Sequence, residues 1–425
     1  MTDQAVADKR YYAAKYLAIF LIAVVARLVY VGAFTNMAPP DTDGYVAIAH
    51  NLANGHGYAN TEGQLTAYRP PVYPLFLAAF QKLTGTLTGA LWTQAILQGL
   101  AVLMAAWLTR NIMGDIFALA AAGLVAVDPY LIWTCGLYMS ECLFGILAVL
   151  SVMLLIWSLR AGAVWKYALT GFVASIAALT RPEFFVFIPG ALFVAARWGQ
   201  KRAKLLSMLA LVVATAVLPT IWAARNHNVF GRWVFTTTHG GYTHRLAYNE
   251  VFYNEVVSGR SDYWSAASLE RWQLQIATET AGMNEIERDK ANYAAAAAFS
   301  SADRQRASRV ALYEIANFWL VIPHKANGLI ALGLGLFFLI LVGLAIVGVY
   351  TAWRTRPAAS LIVYLFLAET MVHAYYWSDV RMRIPFHPLL AVMAAVGIAT
   401  LFGRKIRILQ PVGAAQQRTL YSPAA

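Results

Sequence analysis

Apolar runs long enough to cross a bilayer recur along the chain from Leu17 to Phe402. A run of about 20 apolar residues crosses the hydrocarbon as a helix, because no water is there to satisfy its backbone N–H and C=O groups. This feature excludes a soluble globular fold and predicts an all-α polytopic membrane protein. The composition agrees, with 60% hydrophobic and 13% charged residues, where a soluble domain has about a quarter charged. Spans are expected at 16–35, 88–109, 114–133, 136–158, 164–180, 182–197, 205–223, 326–352, 358–377 and 384–402. That is about ten, within a range of nine to twelve. The stretch 72–84 is apolar but short and is read as interfacial or re-entrant. The first run has no small-x-small cleavage site and reads as a retained signal anchor.

Basic residues in short loops set the orientation. With the N-terminus inside, the inner loops hold Lys9, Arg10 and Lys15; Arg110; Arg160 and Lys166; Arg197, Lys201, Arg202 and Lys204; Arg354 and Arg356; and Arg404, Lys405 and Arg407. The net charge of +12 is therefore a topology signal and not a nucleic-acid footprint. The chain divides into an N-terminal transmembrane module, 1–223, which includes an outer loop 36–87. An extracytoplasmic, mostly helical segment 224–325 follows, with a helix expected near 284–318. The C-terminal transmembrane helices are 326–405, and 406–425 is a cytoplasmic tail. Cys135 and Cys142 stand seven apart on what reads as one helix. At 1.5 Å per residue they would lie about 10 Å apart, too far to pair.

The positive-inside bias does not explain the cations expected at outer span ends: Arg69, Arg181, Arg225, Arg381 and Arg383. Acids stand near them: Asp41, Asp43, Asp128, Glu141, Glu183 and Asp379. Charge at membrane depth is costly and usually faces an interior cavity, where it pairs or acts. Any single residue could equally be an interfacial salt bridge, but the group together predicts a cavity at the outer boundary. Arg27 and Glu369 lie deeper, as a structural pair or as pore lining.

The stretch "PPDTDGYVAIAHNL", Pro39 to Leu52, opens the first outer loop. Its prolines stop the first helix. Thr42 or Asp43 is placed to cap a new helix, whose stripe is Tyr45, Ile48, Ala49 and Leu52. One acid is enough for a cap, so the other, Asp41, is expected to point into the cavity as a general base, with Asp43 the runner-up. In "AYRPPVYP", 67–74, three prolines are expected to fix an extended, stiff segment that holds Tyr68 and Arg69. A rigid arginine at headgroup level suits bidentate phosphate binding.

These residues resemble a known family. "DTDGYVAIAHNLANGHGY" and "YRPPVYPLFLAAF", followed in order by "MSECLFG", "LTRPEFFVFIPG", "IWAARNHNVFGRWVFTTTHGG" and "RMRIPFHPLLAVMAAVGI", are similar to GT-C class glycosyltransferases that use polyprenyl-phosphate sugars. These are the protein O-mannosyltransferase-like and aminoarabinose-transferase-like enzymes. The resemblance covers most of the chain except 245–310. It implies a GT-C-like bundle of transmembrane helices with interfacial helices in the first outer loop. It also implies an inverting transfer of a sugar from a polyprenyl-phosphate donor to an acceptor hydroxyl on a lipid, glycan or protein. The place implied is the outer face of a bacterial cytoplasmic (inner) membrane, facing the periplasm or cell exterior. Asp41 matches the first acid of the family's loop motif, where Asp-Glu is frequent; here Thr42 follows, and then Asp43. Arg69, Arg225 and Arg381 or Arg383 are expected on the donor phosphate. Tyr68, Glu141, Arg181, Glu183 and Asp379 are expected to support them or line the cavity. His50, His56, His227, His239 and His244 show no ligand spacing, so no metal or other cofactor is expected to be required. Metal use varies across the class, which leaves a divalent ion open. The rival reading is a lipid or glycan transporter or flippase, against which the chain shows no repeated halves.

Overall fold

A computed structural model describes residues 3–34, 43–200, 203–259, 261–324 and 326–408. Asp41 and Thr42, and the tail beyond 408, lie outside the described residues. The described residues are mostly helical, and an isolated bridge pairs Ala59 with Leu65.

Among the described residues, seven helical segments are long and apolar enough to cross a membrane. They are α1 (Asp3–Phe34), α4 (Thr88–Met113), α7 (Glu141–Ala161), α10 (Lys204–Phe230), α16 (Gly328–Ala352), α17 (Pro357–Tyr375) and the near-continuous pair α18 (Val380–Arg383) and α19 (His387–Ile408). Two short helices, α2 (Tyr45–Ala53) and α3 (Val72–Thr84), lie between α1 and α4. Three expected spans are shorter than a full crossing. Asp128 accepts from the N–H groups of Tyr130 and Leu131 and, with Pro129, restarts the chain. The span expected at 114–133 is thus α5 (Asp115–Ala126) followed by α6 (Pro129–Thr134). Likewise Arg181–Pro182 separates α8 (Val164–Ala178) from a 3₁₀ turn, Pro182–Val186, and α9 (Phe187–Trp198). α8 has 15 residues, about 22 Å at 1.5 Å per residue, against about 30 Å of hydrocarbon.

Close packing uses small residues. A Cβ added at Gly348 would meet Met393 O at 2.0 Å, and one at Gly397 would meet Leu344 O at 1.9 Å, so α16 and α19 cross backbone to backbone. Arg27 does not pair with Glu369. Its guanidinium is buried and donates to Val125 O at 2.8 Å and Ala126 O at 3.1 Å, capping the end of α5. The two cysteines are not on one helix. The turn between α6 and α7 brings their sulfurs to 3.8 Å, and both are free thiols.

Between α10 and α16 the chain forms α11 (Gly240–Ala247), α12 (Glu250–Phe252), α13 (Ala266–Glu279), α14 (Glu285–Ala302) and α15 (Arg304–Phe318). The helix expected near 284–318 is two, because Asp303 caps a new start by accepting from Gln305 and Arg306 N–H. A capping box of Asn284 and Glu287 starts α14. Phe252, Trp264, Trp272, Ala296 and Val310 form the core of this unit. It sits at the bundle end that carries the first loop, joined to it by Glu285. The Glu285 carboxylate accepts from Thr66 Oγ1 at 2.6 Å, Ala67 N at 2.8 Å and Thr238 Oγ1.

Candidate active site

The site begins where the first loop meets the bundle. Asp43 does not cap α2. The position before the helix is Gly44, at φ 74°, a left-handed turn that glycine adopts without strain, and among the described residues no side chain caps the helix. The turn leaves Asp43 facing Arg69 across the loop. Arg69 Nη2 lies 3.1 Å from Asp43 Oδ1, and Nε donates to Asp43 O at 2.8 Å.

Arg69 is held from several sides by long-range hydrogen bonds, while the expected extended run does not reach residue 74: Pro71 is helical at ψ -23° and α3 starts at Val72. Tyr58 Oη donates to Arg69 O at 2.8 Å, Thr237 Oγ1 donates to Tyr68 O, and Val72 N donates to Leu179 O at 3.2 Å. The guanidinium lies over the rings of Tyr45 and Tyr68, at 5.1 and 5.2 Å. Tyr45, in sequence one member of an apolar stripe, is thus also part of the site.

Two further arginines meet on Glu141, the first residue of α7. Arg181 Nη1 is 3.2 Å from Glu141 Oε1, and Arg381 Nε is 3.1 Å from the same oxygen. Arg181 stands in the break between α8 and the 3₁₀ turn, where it also pairs with Glu183 and approaches Met382 Sδ at 2.7 Å. Arg381 stands on α18, whose cap is Asp379 through a 2.9 Å bond from Arg381 N. Tyr263 Oη donates to the other Asp379 oxygen at 3.1 Å. Arg381 Nη2 lies 3.9 Å from Asp43 Oδ2 and so joins the two halves of the cluster.

Three cations and three acids thus converge from five separate segments. Exposure orders them in depth. The Glu141 side chain is 2% exposed, against 21% for Arg381 and 25% for Asp43. Glu141 is the floor, and Asp43 with Arg381 faces the opening. An aromatic wall adjoins Arg69: Tyr68 and His239 meet edge to face at 4.4 Å, and His239 stacks on Tyr242 at 5.2 Å. Burial and the neighbouring Arg69 push the His239 pKa well below 6.5, so this imidazole is neutral at pH 7.

Arg225 and Arg383 do not join the cluster. Arg225 donates to Thr66 O at 2.7 Å and Tyr58 O at 3.2 Å, which fastens the first loop to α10. Arg383 donates to Phe318 O at 2.5 Å and Leu320 O at 2.7 Å, lies over Phe338 at 3.8 Å, and closes the end of α15. The sequence reading missed Glu285 and His239. Glu285 reaches a residue 219 positions away, and nothing local signals that. His239 was noted only for its lack of metal-ligand spacing. Glu369 is fully buried, and its carboxylate lies 3.9 Å from His373 Nδ1. Among the described residues, no group of three or more His, Cys, Asp or Glu side chains is arranged to hold a metal ion.

No protein-family model matches the chain, and no curated protein matches it. Solved structures do. Oligosaccharyltransferase AglB from Archaeoglobus fulgidus, in complex with an inhibitory peptide and a dolichol-phosphate, superposes with a TM-score of 0.55 at 14% identity, over 95% of this chain and 52% of that one. A structure of the same organism's oligosaccharyltransferase, tethered by a disulfide bond to an acceptor peptide containing the NVT sequon, superposes with a TM-score of 0.56 at 15% identity, over 95% and 51%. ArnT from Cupriavidus metallidurans, bound to undecaprenyl phosphate, matches at a TM-score of 0.41 and 14% identity, over 93% of this chain and 81% of that one. That likeness is too distant to carry an argument. The chain spans about half the length of the archaeal oligosaccharyltransferases it matches. At these identities the likeness shows the fold alone: an all-α, multi-pass membrane bundle like that of the archaeal oligosaccharyltransferases.

Proposed function

We propose that the chain is an inverting glycosyltransferase, which moves a sugar from a polyprenyl-phosphate donor to an acceptor hydroxyl at the outer face of a bacterial cytoplasmic membrane. The observation that carries this reading is the convergence of Arg69, Arg181 and Arg381 on Asp43 and Glu141 at one end of the bundle. The archaeal oligosaccharyltransferase of like fold that holds a dolichol-phosphate supports a lipid-phosphate donor.

The chemistry follows from the charges. The donor is a phosphodiester with one negative charge, and the lipid monophosphate that leaves carries a second. Asp43 takes the acceptor's proton as the hydroxyl oxygen attacks the anomeric carbon opposite the phosphate. The C–O bond to the phosphate breaks, and its electron pair goes to the phosphate oxygen. Proton uptake neutralises Asp43 and frees the guanidinium groups of Arg69 and Arg381 as the phosphate gains charge. The site's total charge is then unchanged across the step, with fixed donors placed where charge develops. Glu141 holds Arg181 and Arg381 side by side from below. Asp41, outside the described residues, remains the base expected from sequence. Asp43 is proposed because its carboxylate stands at the arginines. The reading requires no cofactor.

The test is incorporation of radiolabelled sugar from a polyprenyl-phosphate donor by the purified chain, with and without EDTA. Transfer that survives EDTA is expected. A protein that moves lipid or glycan between leaflets without breaking the sugar–phosphate bond is a transporter, and the reading fails.

A further inference from the structure

The segment after α10 carries an aromatic display that the transfer chemistry does not use. Burial alternates along 233–236. Val234 packs inward against the cluster of Trp222 and Leu179, and Trp222 Nε1 donates to Thr236 O at 2.8 Å. Trp233 and Phe235 turn outward and are 58% and 53% exposed. Their rings stack at 6.5 Å with 23° between planes, and His227 stacks on Trp233 at 4.6 Å. α14 supplies the opposite wall with Ile286, Asp289 and Lys290. The cleft between them is about 340 Å³, within the range of small-ligand sites, about 300–1,000 Å³.

The chemistry of the cleft selects its occupant. Stacked, exposed rings fit the apolar C–H face of a pyranose. The charged wall opposite them disfavours an acyl chain. Asp289 Oδ1 accepts from Gly241 N at 2.7 Å, and against this single carboxylate the exposed Lys290 and Arg232 give the lining a net positive charge. The cleft also adjoins the loop segment that carries Arg69. Thr237 and Thr238 line it, and the same two residues hold Tyr68 and Ala67 beside Arg69, through Thr237 Oγ1 to Tyr68 O and Thr238 N to Ala67 O at 3.1 Å.

We propose that this cleft is a saccharide subsite, in which an acidic oligosaccharide stacks on Trp233 and Phe235 with a carboxylate on Lys290 and Arg232. That the saccharide belongs to the acceptor rests on the transferase reading; the binding itself does not. The test uses the full chain in nanodiscs, with titration calorimetry of tetragalacturonate and of maltotetraose as the uncharged comparison. Tetragalacturonate should bind more tightly than maltotetraose. Trp233→Ala and Phe235→Ala should each weaken binding about tenfold or more, while Lys290→Gln should weaken only the acidic sugar. Both aromatic side chains are exposed, so these variants should keep the wild-type thermal midpoint. Absence of binding by either sugar, or binding unchanged in both aromatic variants, overturns the subsite. So does quenching of Trp233, taken as the wild-type minus Trp233→Phe fluorescence, by lipid brominated on its acyl chains, since that places the ring in the membrane. Sugar transfer assayed on the same preparations separates the two readings. Trp233-dependent binding without transfer leaves the subsite standing and removes the transferase; transfer without binding does the reverse.

Discussion

Glu141→Gln removes one charge from the floor of the cluster and keeps its shape. A single carboxylate oxygen serves Arg181 at 3.2 Å and Arg381 at 3.1 Å, and the side chain is 2% exposed. At an effective dielectric of about 20, each contact has a gross attraction of about 5 kcal/mol. Much of that is offset, because the neutral amide no longer has to be desolvated as a charge. Arg181 keeps Glu183, whereas the other salt bridge of Arg381 among the described residues is the longer one to Asp43 at 3.9 Å. The expected net loss is therefore at the low end of the range for a broken buried pair, about 3 kcal/mol. The assay is the apparent unfolding midpoint of purified protein in detergent at fixed scan rate, since membrane proteins of this size tend to unfold irreversibly. The midpoint should fall by several degrees in Glu141→Gln and by less in Glu183→Gln, whose side chain is 15% exposed. A Glu141→Gln protein that melts like wild type, beside a destabilised Glu183→Gln, would refute the buried clamp.

Three other outcomes follow from the same geometry. Arg69→Lys keeps the charge but cannot contact both Asp43 O and Oδ1 as the fork does, so donor binding or turnover should fall markedly; full activity would show that charge alone suffices there. Glu314 is fully buried, accepts from Ser378 N at 2.7 Å, and burial pushes its pKa from 4.5 up to about 8. The folded state then holds a proton that the unfolded chain releases. The stability this neutral carboxyl contributes is full below about pH 4.5 and is lost as pH rises through about 8, by at most about 1.4 kcal/mol per unit. Glu314→Gln should flatten that decline in the unfolding midpoint. Cysteine labelling from the outer face should modify Ser258→Cys and not Gln200→Cys, with little background because Cys135 and Cys142 are buried; the reverse pattern would invert the orientation.

The spans were legible because burial in hydrocarbon demands long apolar helices, whatever they pack against. Interruptions were harder to weigh. Asp128–Pro129 and Arg181–Pro182 are visible as residues, but the mean hydropathy around them still reads as continuous span. Local pattern misled at Asp43. An acid before an apolar stripe reads as an N-cap, yet Gly44 makes the turn and an arginine 26 residues away takes the carboxylate. The five arginines expected at outer span ends look alike in sequence. Arg69, Arg181 and Arg381 face acids, while Arg225 and Arg383 face backbone carbonyls. That division depends on tertiary contacts between segments far apart in the chain. The cysteine pair shows the same limit at short range, since one turn replaces a separation of about 10 Å with a sulfur contact of 3.8 Å.

The proposed transfer turns on one step, in which an acid of the first loop, at the arginine cluster, takes the acceptor's proton. It is tested most directly by turnover of purified Asp43→Asn and Asp41→Asn with a polyprenyl-phosphate sugar, each checked for the wild-type unfolding midpoint. Asparagine can still accept from Arg69 but is no base at neutral pH. Asp43→Asn should therefore keep lipid-phosphate binding and lose on the order of a hundredfold or more in rate, the usual scale for a general base, while Asp41→Asn loses much less. An active Asp43→Asn beside an inactive Asp41→Asn would move the base to Asp41. Wild-type turnover in both would contradict the account.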